Sequence, residues 1–241
     1  MSQLTLFEDR STYGVETEVC GKPFGRGLGG QQRTCRLYKG HSFKRHTDLP
    51  FLLHLKDEFR KIADKIERDS FNTRGASWGK DQEGKQKRRN RQPRWTLKEG
   101  EQLYPKHFQG YKECLEVARS LTIQVYCMAD APDCPDHIVN FLQYVPVRGS
   151  FVCPICRLPI YLADFEKSQQ SLATIDTDHL DPVGFEYIHF AGNVCFTHHE
   201  CNVAKGERSI TQFQEWVVNI LGRFGYRIEE PFTPIEPFIP Y

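Results

Sequence analysis

Two short ligand pairs carry the first recognisable chemistry in this chain: Cys153-Pro-Ile-Cys156 and, some forty residues on, His198-His-Glu-Cys201. A Cys-x-x-Cys knuckle sets two thiolates on one tetrahedral ion, and a second pair at the same spacing completes the four ligands of a zinc site. Imidazole stands here for one thiolate, and a Cys3His set is chemically sound. His199 and Cys195 could compete for the fourth position, but His198 keeps the two-residue gap and is the expected ligand. Such pairs alone describe a structural zinc ribbon. Between them lies Ile175-Asp-Thr-Asp178-His179-Leu-Asp-Pro182, then Gly184 and Asn193-Val-Cys; Asn202, Lys205 and Gly206 close the run. His179 adds a group that titrates near neutrality and can take a proton from water.

In this order the elements resemble the HNH endonucleases, the zinc-bearing branch of the ββα-metal or His-Me finger superfamily. The pattern is Cys-x-x-Cys, Asp-His-x-x-Pro, Asn, then Cys-x-x-Cys-Asn-x-x-Lys-Gly, with His198 in place of one cysteine. Asn193 lies fourteen positions after His179 and Asn202 nine after Asn193, and the resemblance covers residues 151 to 208. It implies a metal-dependent DNA endonuclease in which His179 is the general base. Asp178 and Asn202 would give oxygen ligands to one catalytic Mg²⁺ or Mn²⁺, which suits hard divalent ions. Asn193 would orient the base and tie down its loop, the zinc would be structural, and the products would carry 5′-phosphate and 3′-hydroxyl ends. Lys205 and Arg208 would contact phosphate. On a strand Asp178 and His179 point to opposite faces, so a bend is expected if both serve one site.

Positioning these residues requires an α+β chain: a ββα-metal HNH module stapled by the Cys3His site, preceded by a mostly helical region with a basic loop. The expected organisation is an irregular segment over 1–50, helices over 51–150, the nuclease module over 151–224 and a Pro-rich tail over 225–241. Leu52, Leu55, Phe59, Ile62 and Ile66 recur at helical spacing and predict a helix from Phe51 to Ser70, with Asp48 as N-cap and Pro50 in the first turn. A second is predicted over Pro105–Leu121 with Cys114, Leu115, Ala118 and Leu121 on one face, and a third over Pro135–Tyr144. The last runs over Ser209–Phe224 and buries Phe213, Val217, Ile220 and Leu221. Thr96 with Glu99 makes a capping box for a short helix. The glycine-rich run between Cys20 and Cys35 reads as irregular.

Lys80, Lys85, Lys87, Arg88, Arg89, Arg91 and Arg94 crowd into fifteen residues, and beside a nuclease site such a run reads as a DNA-backbone contact. Trp78 and Trp95 flank it and could stack on bases or pack against the helices. Cys20, Cys35, His41 and His46 could form a second zinc site, with Cys127 and Cys134 as alternative ligands; Cys114 reads as core, and His189 as packing. Gln3-Leu-Thr-Leu-Phe7 is similar to the peptide by which bacterial replication and repair proteins dock on the sliding clamp.

Composition bounds the rest. The 241 residues are 39% hydrophobic and 26% charged with a formal net charge of +1, which excludes a disordered or uniformly basic chain. No apolar run approaches the roughly 20 residues a membrane span needs. The opening MSQLTLFEDR lacks a secretory signal's basic start and apolar core, so a cytoplasmic chain with no membrane partner is expected. Nine cysteines in a reducing compartment point to metal rather than disulfides. The rival readings are a catalytically silent zinc module that binds nucleic acid, and a nuclease subunit gated by a partner. A duplex cutter would need a homodimer or two successive nicks.

Overall fold

The computed structural model describes residues 23–26, 32–34, 55, 59–73, 78–80, 86–88, 92–99, 104, 107–166, 174–181 and 189–227. Gln3–Phe7, Cys20, Cys35, His41, His46, Lys85, Arg89, Arg91 and the Pro-rich tail beyond residue 227 lie outside them.

Helix α1 spans Arg60–Phe71 with Phe59 at its N-cap; of the predicted start, Leu55 is helical, and Asp48, Pro50, residues 51–54 and residues 56–58 lie outside the described residues. Leu55, Ile62 and Ile66 of the periodic stripe are buried. They pack on helix α2, Tyr111–Tyr126, which presents Cys114, Val117, Ala118 and Leu121. Sequence spacing ends α2 at Leu121 because Thr122, Ile123 and Val125 are β-branched and weak helix formers. All three are buried, and their packing outweighs a few tenths of a kcal/mol of propensity each. Helix α3 covers Asp136–Leu142 and closes on Gln143 in the left-handed region, at φ 50°.

Two segments read as irregular are strand pairs. Strands β1 (Pro23–Arg26) and β2 (Gln32–Thr34) pair antiparallel across the glycine-rich run, with a register shift between Phe24 and Arg26. Strands β3 (Trp78–Lys80) and β4 (Gln86–Arg88) pair within the basic run, Trp78 opposite Arg88. The capping box at Thr96 is absent: Arg94–Thr96 is a single 3₁₀ turn, and the Thr96 hydroxyl donates to the Pro93 carbonyl instead. Trp95 packs edge-on against Phe71 and Tyr111, with ring centroids 5.7 and 4.9 Å away, so it is spent inside the fold rather than on a base.

The site-bearing hairpin joins β5 (Ile175–His179) to β6 (Val194–His198), registered from Ile175 opposite His198 to His179 opposite Val194. Helix α4, His199–Lys205, follows without a break. Strand β6 lies on α2, and its outer edge is answered by a side chain. Gln124 accepts from the Phe196 N–H at 3.0 Å and donates to the Val194 carbonyl at 3.3 Å. Each group left unpaired there would cost about 1–3 kcal/mol. One buried cluster takes in α1, α2, α3 and the hairpin.

Helix α5, Ile210–Arg223, matches its predicted bounds, and Ser209 with Gln212 forms a reciprocal capping box. Its expected buried face is a correction: Ile210 is buried, but Phe213, Val217 and Ile220 are half-buried and Leu221 is 37% exposed. Among the described residues no helix is long and apolar enough to cross a membrane.

Candidate active site and metal centre

Strand β5 divides its side chains between two helices, as period-two alternation requires. Thr177 and His179 face α1 and its surroundings. The Thr177 hydroxyl donates to Asp69 at 2.9 Å, and His179 Nε2 lies 3.1 Å from His189 Nδ1. His189 Nε2 in turn reaches the Ser70 carbonyl at 2.7 Å. Asp176 and Asp178 face α4. Asp176 Oδ2 receives the Asn202 amide at 2.9 Å and lies 2.8 Å from His199 Nδ1, at a corner where the Asp176 and His199 side chains are each about 30% exposed. Asp178 pairs with Lys205 at 3.4 Å, both deeply buried, and its Oδ1 accepts the His179 N–H at 2.8 Å. No bend brings Asp178 and His179 to one face in this arrangement; the strand stays regular through both.

Asn193 ends the connection between the strands. Its side-chain Oδ1 accepts the Asp181 N–H at 2.7 Å and its side-chain Nδ2 donates to the Asp181 carbonyl at 3.2 Å, clamping the chain two residues past His179.

Cys153, Cys156, His198 and Cys201 converge at the joint of β6 and α4. Their ligand atoms all lie within 4.8 Å of one another, and Cys156 Sγ is 3.3 Å from His198 Nδ1. The bridge between Val152 and Pro159 shapes the knuckle, and Arg157 turns it at φ 63°. A hydrogen bond from Cys201 holds the Cys153 thiol down to about 4, and the same bond drives Cys201 well above the ordinary thiol value. Sharing one negative charge among neighbouring thiols is the situation a divalent cation relieves. The donor set therefore fits a tetrahedral ion such as zinc. His199 turns away to Asp176, and Cys195 is not among the converging donors, so neither competes with His198. Cys127 and Cys134 join no such cluster among the described residues.

Two residues expected at DNA sit inside the fold. The Lys205 ammonium is 1% exposed and donates to the carbonyls of His179, Gly206 and Arg208 at 3.1, 3.3 and 3.1 Å, so it is a clamp inside the fold rather than a phosphate contact. Arg94 is also buried and donates to the His107 carbonyl at 3.2 Å. Arg208 lies over the Trp216 ring, 4.6 Å from its centre. Lys80, Lys87 and Arg88 lie in the β3–β4 hairpin. Sequence reasoning missed Asp176 and His189. Asp176 was signalled by its two-residue offset from Asp178 on a strand; His189 had no local signal.

The family model for DraIII matches residues 48–109 and 101–201 of this chain. A solved structure described as the crystal structure of a type II restriction endonuclease matches with 29% identity and a TM-score of 0.63, covering 86% of this chain and 98% of that one. No curated protein matches with significance.

Proposed function

The chain belongs to the DraIII family, and from that premise we propose that it is a metal-dependent DNA endonuclease of the HNH type, acting in restriction. One observation carries the reading. An antiparallel hairpin with His179 at the end of its first strand runs directly into a helix bearing Asn202, and four metal donors fasten the joint. The likeness to a type II restriction endonuclease supports the DNA-cutting half of the proposal.

In this reading His179 accepts the proton of the attacking water. The water oxygen bonds to phosphorus as the bond to the 3′ oxygen breaks, giving 5′-phosphate and 3′-hydroxyl ends. Asn193 holds the backbone just beyond His179, and Lys205 holds the His179 carbonyl and the Asp178 carboxylate, so the strand end is fixed from two sides. Zinc at Cys153, Cys156, His198 and Cys201 would supply folding energy and lock the knuckle to the helix. Mg²⁺ or Mn²⁺ at the oxygens of Asp178 and Asn202 would neutralise charge on the phosphate, and bringing that charge to the His179 side requires a bend in β5 that the regular strand does not have. As the side chains stand, Lys205 holds the Asp178 carboxylate and Asp176 is the acid in contact with Asn202. Lys85, Lys87, Arg88, Arg89 and Arg91 of the basic run supply contacts to the DNA backbone.

Supercoiled plasmid with Mg²⁺ or Mn²⁺ tests this, comparing wild type with His179→Ala at equal zinc content. Wild type should cut, and the variant should be slower by roughly 10²–10⁴-fold. Equal cutting by both would refute the assignment of the base.

A further inference from the structure

We propose that His189 is the positioning residue for His179, fixing its tautomer so that the basic lone pair sits on Nδ1. The proposal rests on the reading of His179 as general base and adds a residue that the HNH resemblance does not supply.

The last carbonyls of an α-helix have no partner within it, and Ser70 lies in the final turn of α1. A carbonyl only accepts, so the 2.7 Å contact places a hydrogen on His189 Nε2. His189 is 2% exposed. Burial holds its imidazole well below the usual histidine range, with the Arg94 guanidinium and His179 acting in the same direction; the Ser70 carbonyl and Asp69 oppose them without prevailing. A neutral ring protonated at Nε2 has its lone pair on Nδ1, and that atom faces His179 Nε2 at 3.1 Å. The hydrogen of this second bond must come from His179. A neutral His179 then carries hydrogen at Nε2 and its lone pair at Nδ1. The order of the chain, carbonyl to His189 to His179, is set from the end that has no freedom. The two rings are tilted 47° with centroids 5.4 Å apart, so the contact runs along nitrogen lone pairs rather than as a stack. The device also ties the base to α1, more than a hundred residues earlier in sequence.

The test uses the full-length protein labelled with ¹⁵N-histidine, read by long-range ¹H–¹⁵N spectra, together with steady-state cleavage. His189→Leu keeps an apolar filler and removes both hydrogen bonds. His189→Gln retains one acceptor and one donor. In wild type His179 should show the Nε2–H form. In His189→Leu that signal should become a mixture, and kcat should fall by about 10- to 100-fold with KM unchanged, the range for losing a partner that orients a working histidine. His189→Gln should recover most of the rate at a thermal stability matching His189→Leu or better. A wild-type His179 in the Nδ1–H form overturns the proposal, as does a His189→Leu protein with unchanged tautomer and kcat. If His179→Ala cuts as well as wild type, the nuclease assignment fails instead, and the spectra still decide the coupling of the two rings.

Discussion

Replacing Lys205 by Met separates a clamp from a DNA contact. The thioether keeps the apolar stem of the side chain and removes its charged end. It leaves Asp178, 4% exposed, without its cation, and takes a donor from three carbonyls. Breaking a buried ion pair by removing one partner costs about 3–5 kcal/mol. In a domain of this size each kcal/mol moves Tm by roughly 2–4 °C, so Lys205→Met should melt about 6–20 °C below wild type. Calorimetry measures this directly. Asp178→Asn in the same background should recover part of the loss, because a neutral amide needs no cation. The salt dependence of DNA binding gives the opposite arm: a lost phosphate contact lowers the slope of log K against log salt by about 0.9, and a clamp leaves it alone. A melting point within about 2 °C of wild type together with a reduced slope would refute the reasoning and return Lys205 to the DNA surface.

Cys201→Ala should bind one metal equivalent fewer than wild type and lose cooperative melting of the hairpin region, as elemental analysis and calorimetry would report; unchanged stoichiometry would remove the four-ligand assignment. Acid titration of stability should single out Asp69. Burial raises its carboxyl, but the hydrogen bond and charge of Arg68, the charge of Lys65 and the Thr177 hydroxyl outweigh that and hold it well below the usual carboxylate range. A depressed native value adds stability above the unfolded value near 3.9 and loses it as pH falls toward the folded one. The stability gap between wild type and Asp69→Asn should therefore be flat above about pH 5 and shrink below about pH 4 in denaturant titrations.

The metal donors were legible because their spacing is local: each pair is fixed by one turn of backbone, and the four converge as the two gaps imply. The bounds of helix α5 were legible from the spacing of its apolar residues, although the face that spacing marks is only partly buried. What the sequence hid depends on partners far along the chain. The extension of α2 through Thr122–Tyr126 follows from burial, which no propensity anticipates. The β3–β4 hairpin lies under a charge run whose side chains mask any alternation. Lys205 resembles any surface lysine until four oxygens surround it, and His189 gains a role only once α1 and β5 stand on either side of it.

Gln124 bears on how portable the hairpin and its helix are. A two-stranded sheet has two edges, and here a glutamine from α2 occupies polar groups of one of them. Excised at residue 150, the hairpin would expose that edge as a template for another chain's strand, an invitation to aggregation or swapped dimers. The inheritable unit is thus larger than the motif: whatever recombination moves β5, β6 and α4 must carry α2 with them, or supply another amide at the same place.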